Sequence, residues 1–255
     1  MVHFVGAGSG GADLITVRGA KLLSEAGVVI YAGSLINPEV LESYVSPGAE
    51  LFDSSRMTLE EVVEVMRASF REGKEVVRLH SGEPSIFGAV REQMDELDRL
   101  GIEYDSTPGV TACFAAASSL NLEYTLPGVS QTLIITRLEG RTGVPEKESI
   151  ESLASHGSSM AVYLSASMLD ELSGRLLKGG LSPDTPAAVV YKASWEDEKK
   201  VICTVGTLPE EAARAGIKRL AVVLVGEAVT HSAFERSRLY DPCFETGYRK
   251  GSEND

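Results

Sequence analysis

The chain has 255 residues, 43% of them hydrophobic and 24% charged, enough to bury a sizeable core and too apolar for wholesale disorder. Its formal net charge of -13 creates a field that repels nucleic acid and anionic membrane surfaces. No apolar run approaches the ~18 residues of a membrane span, and Met1 leads into a strand without a basic region or cleavage site, so a cytoplasmic protein is expected.

The three cysteines, Cys113, Cys203 and Cys243, are far apart and odd in number, which argues against a disulfide framework and against a thiolate metal site. The first predicted strand, Val2 to Val5, runs into Gly6, Gly8 and Gly11 in the spacing G-x-G-x-x-G, followed by a helix from about Asp13 to Ala26 with Leu14, Val17, Ala20 and Leu23 on its apolar face. A dinucleotide site would require an acid at the tip of the second strand to hold a ribose. That strand, Val28 to Tyr31, ends in Ala32, Gly33 and Ser34. An NAD-dependent oxidoreductase is therefore the weaker alternative, and the glycines read as a tight turn bordering a cleft.

Pro38 to Val45 reads as a short helix, Glu50 to Phe52 as a strand, and Thr58 with Glu61 as a capping box opening a helix that stops near Gly73. The stretch EVVRLHSGEPSIFG, Glu75 to Gly88, is a strand, a sharp loop and a helix expected to open at Ile86. In an open α/β sheet such a loop lies where ligands settle, and Gly82 permits close backbone approach. Glu83 puts a carboxylate at the end of an apolar strand. A helix to Leu100, a strand at Ile102 to Tyr104, the turn Thr107-Pro108-Gly109 and a small-residue helix through Ser119 complete an alternating pattern, which argues for a parallel sheet with covering helices.

Asn121 to Ser130 is the expected domain connection. Beyond it the rhythm changes to strands at Gln131 to Thr136, Met160 to Leu164, Pro186 to Tyr191, Lys200 to Val205 and Leu220 to Val225, with helices at Lys147 to Ser155, Met168 to Leu177 and Leu208 to Ala215. Residues 194–199 read as the exposed turn of a hairpin. The expected organisation is an N-terminal α/β domain over 1–120 with a mostly parallel sheet, a C-terminal mixed-sheet α/β domain over 121–245, and a flexible polar tail over 246–255.

Taken in order, VGAGSGGADLITVRGAKLL, LHSGEPSIFGAV, TPGVTACFAAAS, MAVYLSAS, PAAVVYKASW and RLAVVLVGEAV resemble the tetrapyrrole (corrin/porphyrin) methylase family over essentially the whole chain. YAGSLINPEVL and VSQTLIITRLEGRT look most like the branch acting on precorrin-4, or its cobalt form, at carbon 11. Methylases of another tetrapyrrole, such as uroporphyrinogen III or precorrin-2/3, are the alternative within the family. The resemblance implies a homodimer of two-domain α/β subunits and an S-adenosylmethionine-dependent C-methyltransferase of cobalamin biosynthesis. It implies a donor in the cleft between domains, leaving as S-adenosylhomocysteine. By position, donor contacts fall on Ser9, Ser81, Gly82, Glu83, Ile86, Thr111, Ala112, Leu164, Ala193 and Ala221. The chain departs from the family pattern at Ser9, Gly11, Ala12 and Asp13, and at Glu83, where an aspartate is usual.

Methyl transfer from sulfur to an electron-rich carbon needs alignment and shelter from water more than a metal or a covalent nucleophile; no metal ligand and no general base stands out. The substrate is expected to be an anionic tetrapyrrole whose carboxylates suit guanidinium partners. Arg56, Arg137 and Arg141 are the candidate anchors.

Overall fold

A computed structural model describes residues 1–230 and 234–252. The chain divides into two compact units, the first comprising Met1–Ser119 with Lys192–Lys199 and the second Leu120–Tyr191 with Lys200–Asp255. The segment expected as an exposed hairpin turn thus belongs to the first unit. Ser194, Trp195 and Glu198 find their hydrogen-bond partners there, on Ser9, Gly11 and Ser119.

The first unit is built on strands β1 (Val2–Gly6), β2 (Val28–Tyr31), β3 (Glu50–Asp53), β4 (Val76–His80) and β5 (Tyr104–Thr107), ordered β3-β2-β4-β1-β5. All pairings are parallel, as expected when helices link successive strands. Helices α1 (Val17–Glu25) and α2 (Pro38–Tyr44) cover one face, where Leu23 and Val40 pack on Val5, Val29, Val77 and Leu79. Helices α3 (Leu59–Arg71) and α4 (Arg91–Leu100) cover the other, where Val62, Met66 and Leu97 pack on Val2, Phe4, Ile30 and Val76. Strands buried on both faces read as near-continuous apolar runs, which is why VVIY, and VVRL despite its one arginine, were legible. Helix α5 (Ala112–Ser119) follows β5.

The Thr58 and Glu61 capping box forms as expected, with Glu61 N donating to Thr58 Oγ1 at 3.3 Å and Thr58 N to Glu61 Oε2 at 2.8 Å. The first helix differs from expectation. A 3₁₀ turn at Ala12–Leu14 precedes α1, which starts only after Thr16 caps Gly19 N at 3.1 Å. Val17, expected on the apolar face, is 90% exposed. The helix expected from Ile86 begins at Arg91, because Phe87 and Ala89 hold left-handed φ values of 54° and 49° that no right-handed helix tolerates.

The second unit carries β6 (Leu133–Arg137), β7 (Ser159–Tyr163), β8 (Pro186–Tyr191), β9 (Lys199–Thr204) and β10 (Ala221–Val225), ordered β6-β7-β10-β8-β9. β6 runs parallel to β7, whereas β10 is antiparallel to both β7 and β8, so the sheet is mixed as expected. Helices α6 (Ile150–Ala154), α7 (Leu169–Lys178) and α8 (Leu208–Arg214) place Ile150, Leu172, Leu176, Leu208 and Ala212 against Met160, Val162, Val189 and Val223. Within 246–252, Arg249 donates to the carbonyls of Leu239, Asp241 and Phe244; residues 253–255 of the expected tail lie outside the described residues.

Candidate functional site

β1 and β4 are neighbours, yet the chain leaves β1 towards α1 on one face and leaves β4 towards α4 on the other. Loops that part in this way open a crevice at the carboxyl ends of the strands, where ligands of open α/β sheets bind. Here the crevice is bordered by three loops: residues 7–11 after β1, residues 81–90 after β4, and residues 108–111 after β5.

These loops are tied to one another by backbone. Gly8 and Gly82 exchange hydrogen bonds, Gly82 N to Gly8 O at 2.8 Å and Gly8 N to Gly82 O at 3.3 Å. At Gly109 a Cβ would overlap the Gly82 carbonyl oxygen and crowd Gly6 Cα at 2.8 Å, so only a residue without a side chain lets the loops meet.

Glu83 joins the same crossing. Its Oε2 accepts from Gly109 N at 2.8 Å and its Oε1 from Ser85 N at 3.0 Å. Partial burial pushes its pKa up, but the two backbone donors outweigh that and hold the carboxyl below its ordinary value. The carboxylate is thus an ionised strut between two loops.

The positions expected to contact the donor distribute as follows. Ser9, Ser81, Gly82, Glu83, Ile86, Thr111 and Ala112 all sit on or beside the three loops of the first unit. Ala193, expected in the second domain, lies instead in the first unit, where it is buried. Leu164 and Ala221 belong to the second unit. The register that sets Val223 opposite Val162, Ala221 opposite Tyr191 and Arg137 opposite Tyr163 brings Arg137, Leu164, Tyr191 and Ala221 to one end of that sheet.

Backbone strain falls at or beside several of these positions. Among the described residues other than glycine, positive φ occurs at Phe87, Ala89, Asn121, Leu164, Lys192, Ser194 and Leu220. Phe87 follows Ile86, Leu164 is itself a candidate, Lys192 and Ser194 bracket Ala193, and Leu220 precedes Ala221. Such conformations are costly and concentrate where a site over-determines the backbone.

Of the candidate anchors, Arg137 donates to Leu138 O at 3.3 Å, Thr142 O at 3.2 Å and Gly143 O at 2.8 Å. It therefore shapes the loop that carries Arg141, which is exposed. Arg56 is exposed at the end of a 3₁₀ turn after β3.

The oxidoreductase alternative gains nothing from the geometry. Asp53, the acid beside the tip of β2, spends its Oδ1 on Gly33 N and Ser55 N, both at 2.9 Å.

Two polar side chains are buried on β4, Arg78 and His80. Arg78, 8% exposed, donates to Gln93 Oε1 at 3.0 Å and Ile30 O at 3.2 Å, and burial lowers its pKa to about 10. His80 is buried against Phe4 with its Nε2 unpartnered; burial, and then the charge of Arg78, push its pKa down to about 3, so the ring is neutral. The alternation Val76, Arg78, His80 was visible, but polar residues inside a fully buried strand carry no periodic signal of their own.

A profile of the Tetrapyrrole (Corrin/Porphyrin) Methylases matches residues 1–209. The chain is 50% identical over 249 residues to a cobalt-precorrin-4 C(11)-methyltransferase of Methanocaldococcus jannaschii, covering 98% of this chain and 96% of that protein. The solved structure of a cobalt precorrin-4 methyltransferase, a cobalamin biosynthetic enzyme, is similar at a TM-score of 0.87 and 45% identity over 89% of this chain and 95% of that one. A uroporphyrin-III C-methyl transferase from Thermus thermophilus, complexed with S-adenyl homocysteine, is similar at a TM-score of 0.76 and 27% identity over 90% of this chain and 99% of that one. With a matching profile over most of its length and a full-length relative at half its residues, the chain belongs to the tetrapyrrole (corrin/porphyrin) methylases.

Proposed function

We propose that this chain methylates carbon 11 of precorrin-4 or its cobalt form, using S-adenosylmethionine, in cobalamin biosynthesis. The observation that carries this reading is the identity, across nearly the full length of both chains, to a relative named for that reaction, set against the much lower identity to a uroporphyrin enzyme of similar fold.

The residues at the carboxyl ends of β1, β4 and β5 fit the methyl donor. Gly82, Ala112, Ser9, Ser81 and Thr111 offer backbone groups, hydroxyls and little side-chain bulk, as suits a ligand gripped by shape and hydrogen bonds. Bound there, S-adenosylmethionine supplies an activated methyl group on a sulfonium sulfur. The protein's part is positional. The Gly8 and Gly82 exchange and the Glu83 strut hold the loops in register, which favours a reactive alignment. Ile86 and Ala193, with Leu164 and Ala221 of the second unit, are assigned as further donor contacts. Arg56, Arg137 and Arg141 are assigned to the acetate and propionate groups of the tetrapyrrole.

We also infer a homodimer acting in the cytoplasm; no helix among the described residues is long and apolar enough to cross a membrane. The test is calorimetric titration with S-adenosylhomocysteine and, in parallel, NAD, followed by incubation with precorrin-4 and S-adenosylmethionine. Micromolar binding of the homocysteine product alone and a product heavier by one methyl group support the reading. Binding of NAD alone overturns it.

A further inference from the structure

The segment Lys192–Lys199 is fastened to the first glycine loop at several points. Ser194 Oγ accepts from Gly11 N at 3.0 Å and shares a hydrogen bond with Ser9 Oγ at 2.9 Å. The Trp195 indole Nε1 donates to Ser9 O at 3.1 Å. That ring lies so close to Gly10 that a Cβ on Gly10 would overlap it. Glu198 holds the segment in shape, its Oε2 accepting from Ser194 N at 2.7 Å and its Oε1 from Ser119 Oγ at 2.6 Å. Lys192 Nζ sits 4.6 Å from the centroid of the Trp195 ring and pairs with Asp197 at 2.7 Å, an arrangement that favours a cation over an aromatic face. From the other side Asn37 Nδ2 donates to Gly10 O at 2.9 Å.

Two residues of this segment, Lys192 at φ 45° and Ser194 at φ 69°, adopt left-handed backbone, which is costly for a residue other than glycine. In that conformation the Ser194 hydroxyl meets Gly11 N and Ser9 Oγ.

We propose that Ser194, Trp195 and Glu198 are positioning residues for the methyl donor: they act through Ser9 and the Gly10-Gly11 backbone, setting the conformation of the loop that receives it. The inference rests on the donor-binding role assigned to Ser9 above. Loop pre-organisation is then a determinant of donor affinity, since a loop free to sample other conformations must be ordered at the expense of binding.

The test uses the full-length protein and S-adenosylhomocysteine. Ser194→Gly removes the hydroxyl while suiting a φ of 69°, so the backbone strain is relieved rather than increased. Glu198→Ala removes the acceptor for Ser194 N. Glu198→Gln keeps an acceptor for that N–H and places an amide donor opposite Ser119 Oγ, which can accept. The expected result is a Kd about tenfold higher in Ser194→Gly and Glu198→Ala, near-wild-type affinity in Glu198→Gln, and a raised KM for the donor with little change in the KM for the tetrapyrrole. Trp195 is the only tryptophan, so its fluorescence in each folded variant reports whether the segment has left the glycine loop. Wild-type affinity in a Ser194→Gly protein whose tryptophan emission has shifted would overturn the inference, as would equal losses in Glu198→Gln and Glu198→Ala. Absence of binding by the wild-type protein would instead refute the donor role on which it depends.

Discussion

Replacing Glu83 with glutamine tests the reading of that carboxylate as a strut. Glu83 accepts from two backbone N–H groups, on Ser85 and Gly109. A glutamine has one oxygen and one NH2, so in either rotamer one N–H meets a donor. A hydrogen bond to a charged acceptor contributes about 1.5–3 kcal/mol when shielded, and the group is partly open to solvent, so Glu83→Gln should cost about 1–2 kcal/mol. For a chain of this size that lowers the thermal midpoint by roughly 2–8 °C. The pH dependence has a definite sign. Because the folded pKa lies below the ordinary 4.5, the stabilisation is fully present above that value and is lost as pH falls through the lower folded pKa. The gap between wild type and Glu83→Gln should be constant near neutrality and close below about pH 4.5. Denaturant melts at several pH values, paired with calorimetry for S-adenosylhomocysteine, measure both quantities. A Glu83→Gln protein matching wild type in midpoint and in affinity would refute the strut.

Gly109→Ala must push the β4 and β5 loops apart, because the new methyl meets backbone rather than a movable side chain; a cost of about 1–3 kcal/mol and a loss of donor affinity of at least tenfold are expected from melts and calorimetry. His80, neutral with a pKa near 3, takes up protons only on unfolding between there and 6.5. Stability should therefore fall as pH drops below about 6.5, by up to ~1.4 kcal/mol per pH unit for this group; His80→Gln should flatten that slope, and an imidazole NMR signal should remain neutral at pH 4.5. Arg137→Ala should raise the KM for the tetrapyrrole while leaving the Kd for S-adenosylhomocysteine within twofold; equal loss of both would remove Arg137 from the substrate side.

Much of the fold was readable because it rests on local signals. Val28 to Tyr31 is an apolar run, and Val76 to Leu79 is one broken only by Arg78, as strands covered on both faces are, and Thr58 with Glu61 announced α3. The parallel first sheet and mixed second sheet followed from the change in rhythm near residue 120. What stayed hidden depends on contacts distant in sequence. The delay of α4 to Arg91 comes from left-handed Phe87 and Ala89, which neither composition nor period encodes. The tie from Glu83 to Gly109 spans 26 positions, so a loop carboxylate read as a ligand contact is also a fastening between loops. The acidic turn around Trp195 looked solvated because charge usually marks a solvated turn; its serine, indole and one glutamate are instead spent on partners more than 70 residues away.

The long separation between Ser9 and Ser194, 185 positions, bears on how the protein is made. All five strands of the first sheet have been synthesised by Thr107, and early-emerging units can fold during synthesis. Yet the loop after β1 lacks the Ser194 and Trp195 bonds until nearly ninety further residues have left the ribosome. Closing so long a span costs little more in entropy than closing one half its length, so delay carries small thermodynamic penalty. Its effect is temporal: on the positioning role proposed above, a nascent or truncated chain that already owns the whole parallel sheet still awaits residues 192–199 to complete its glycine loop.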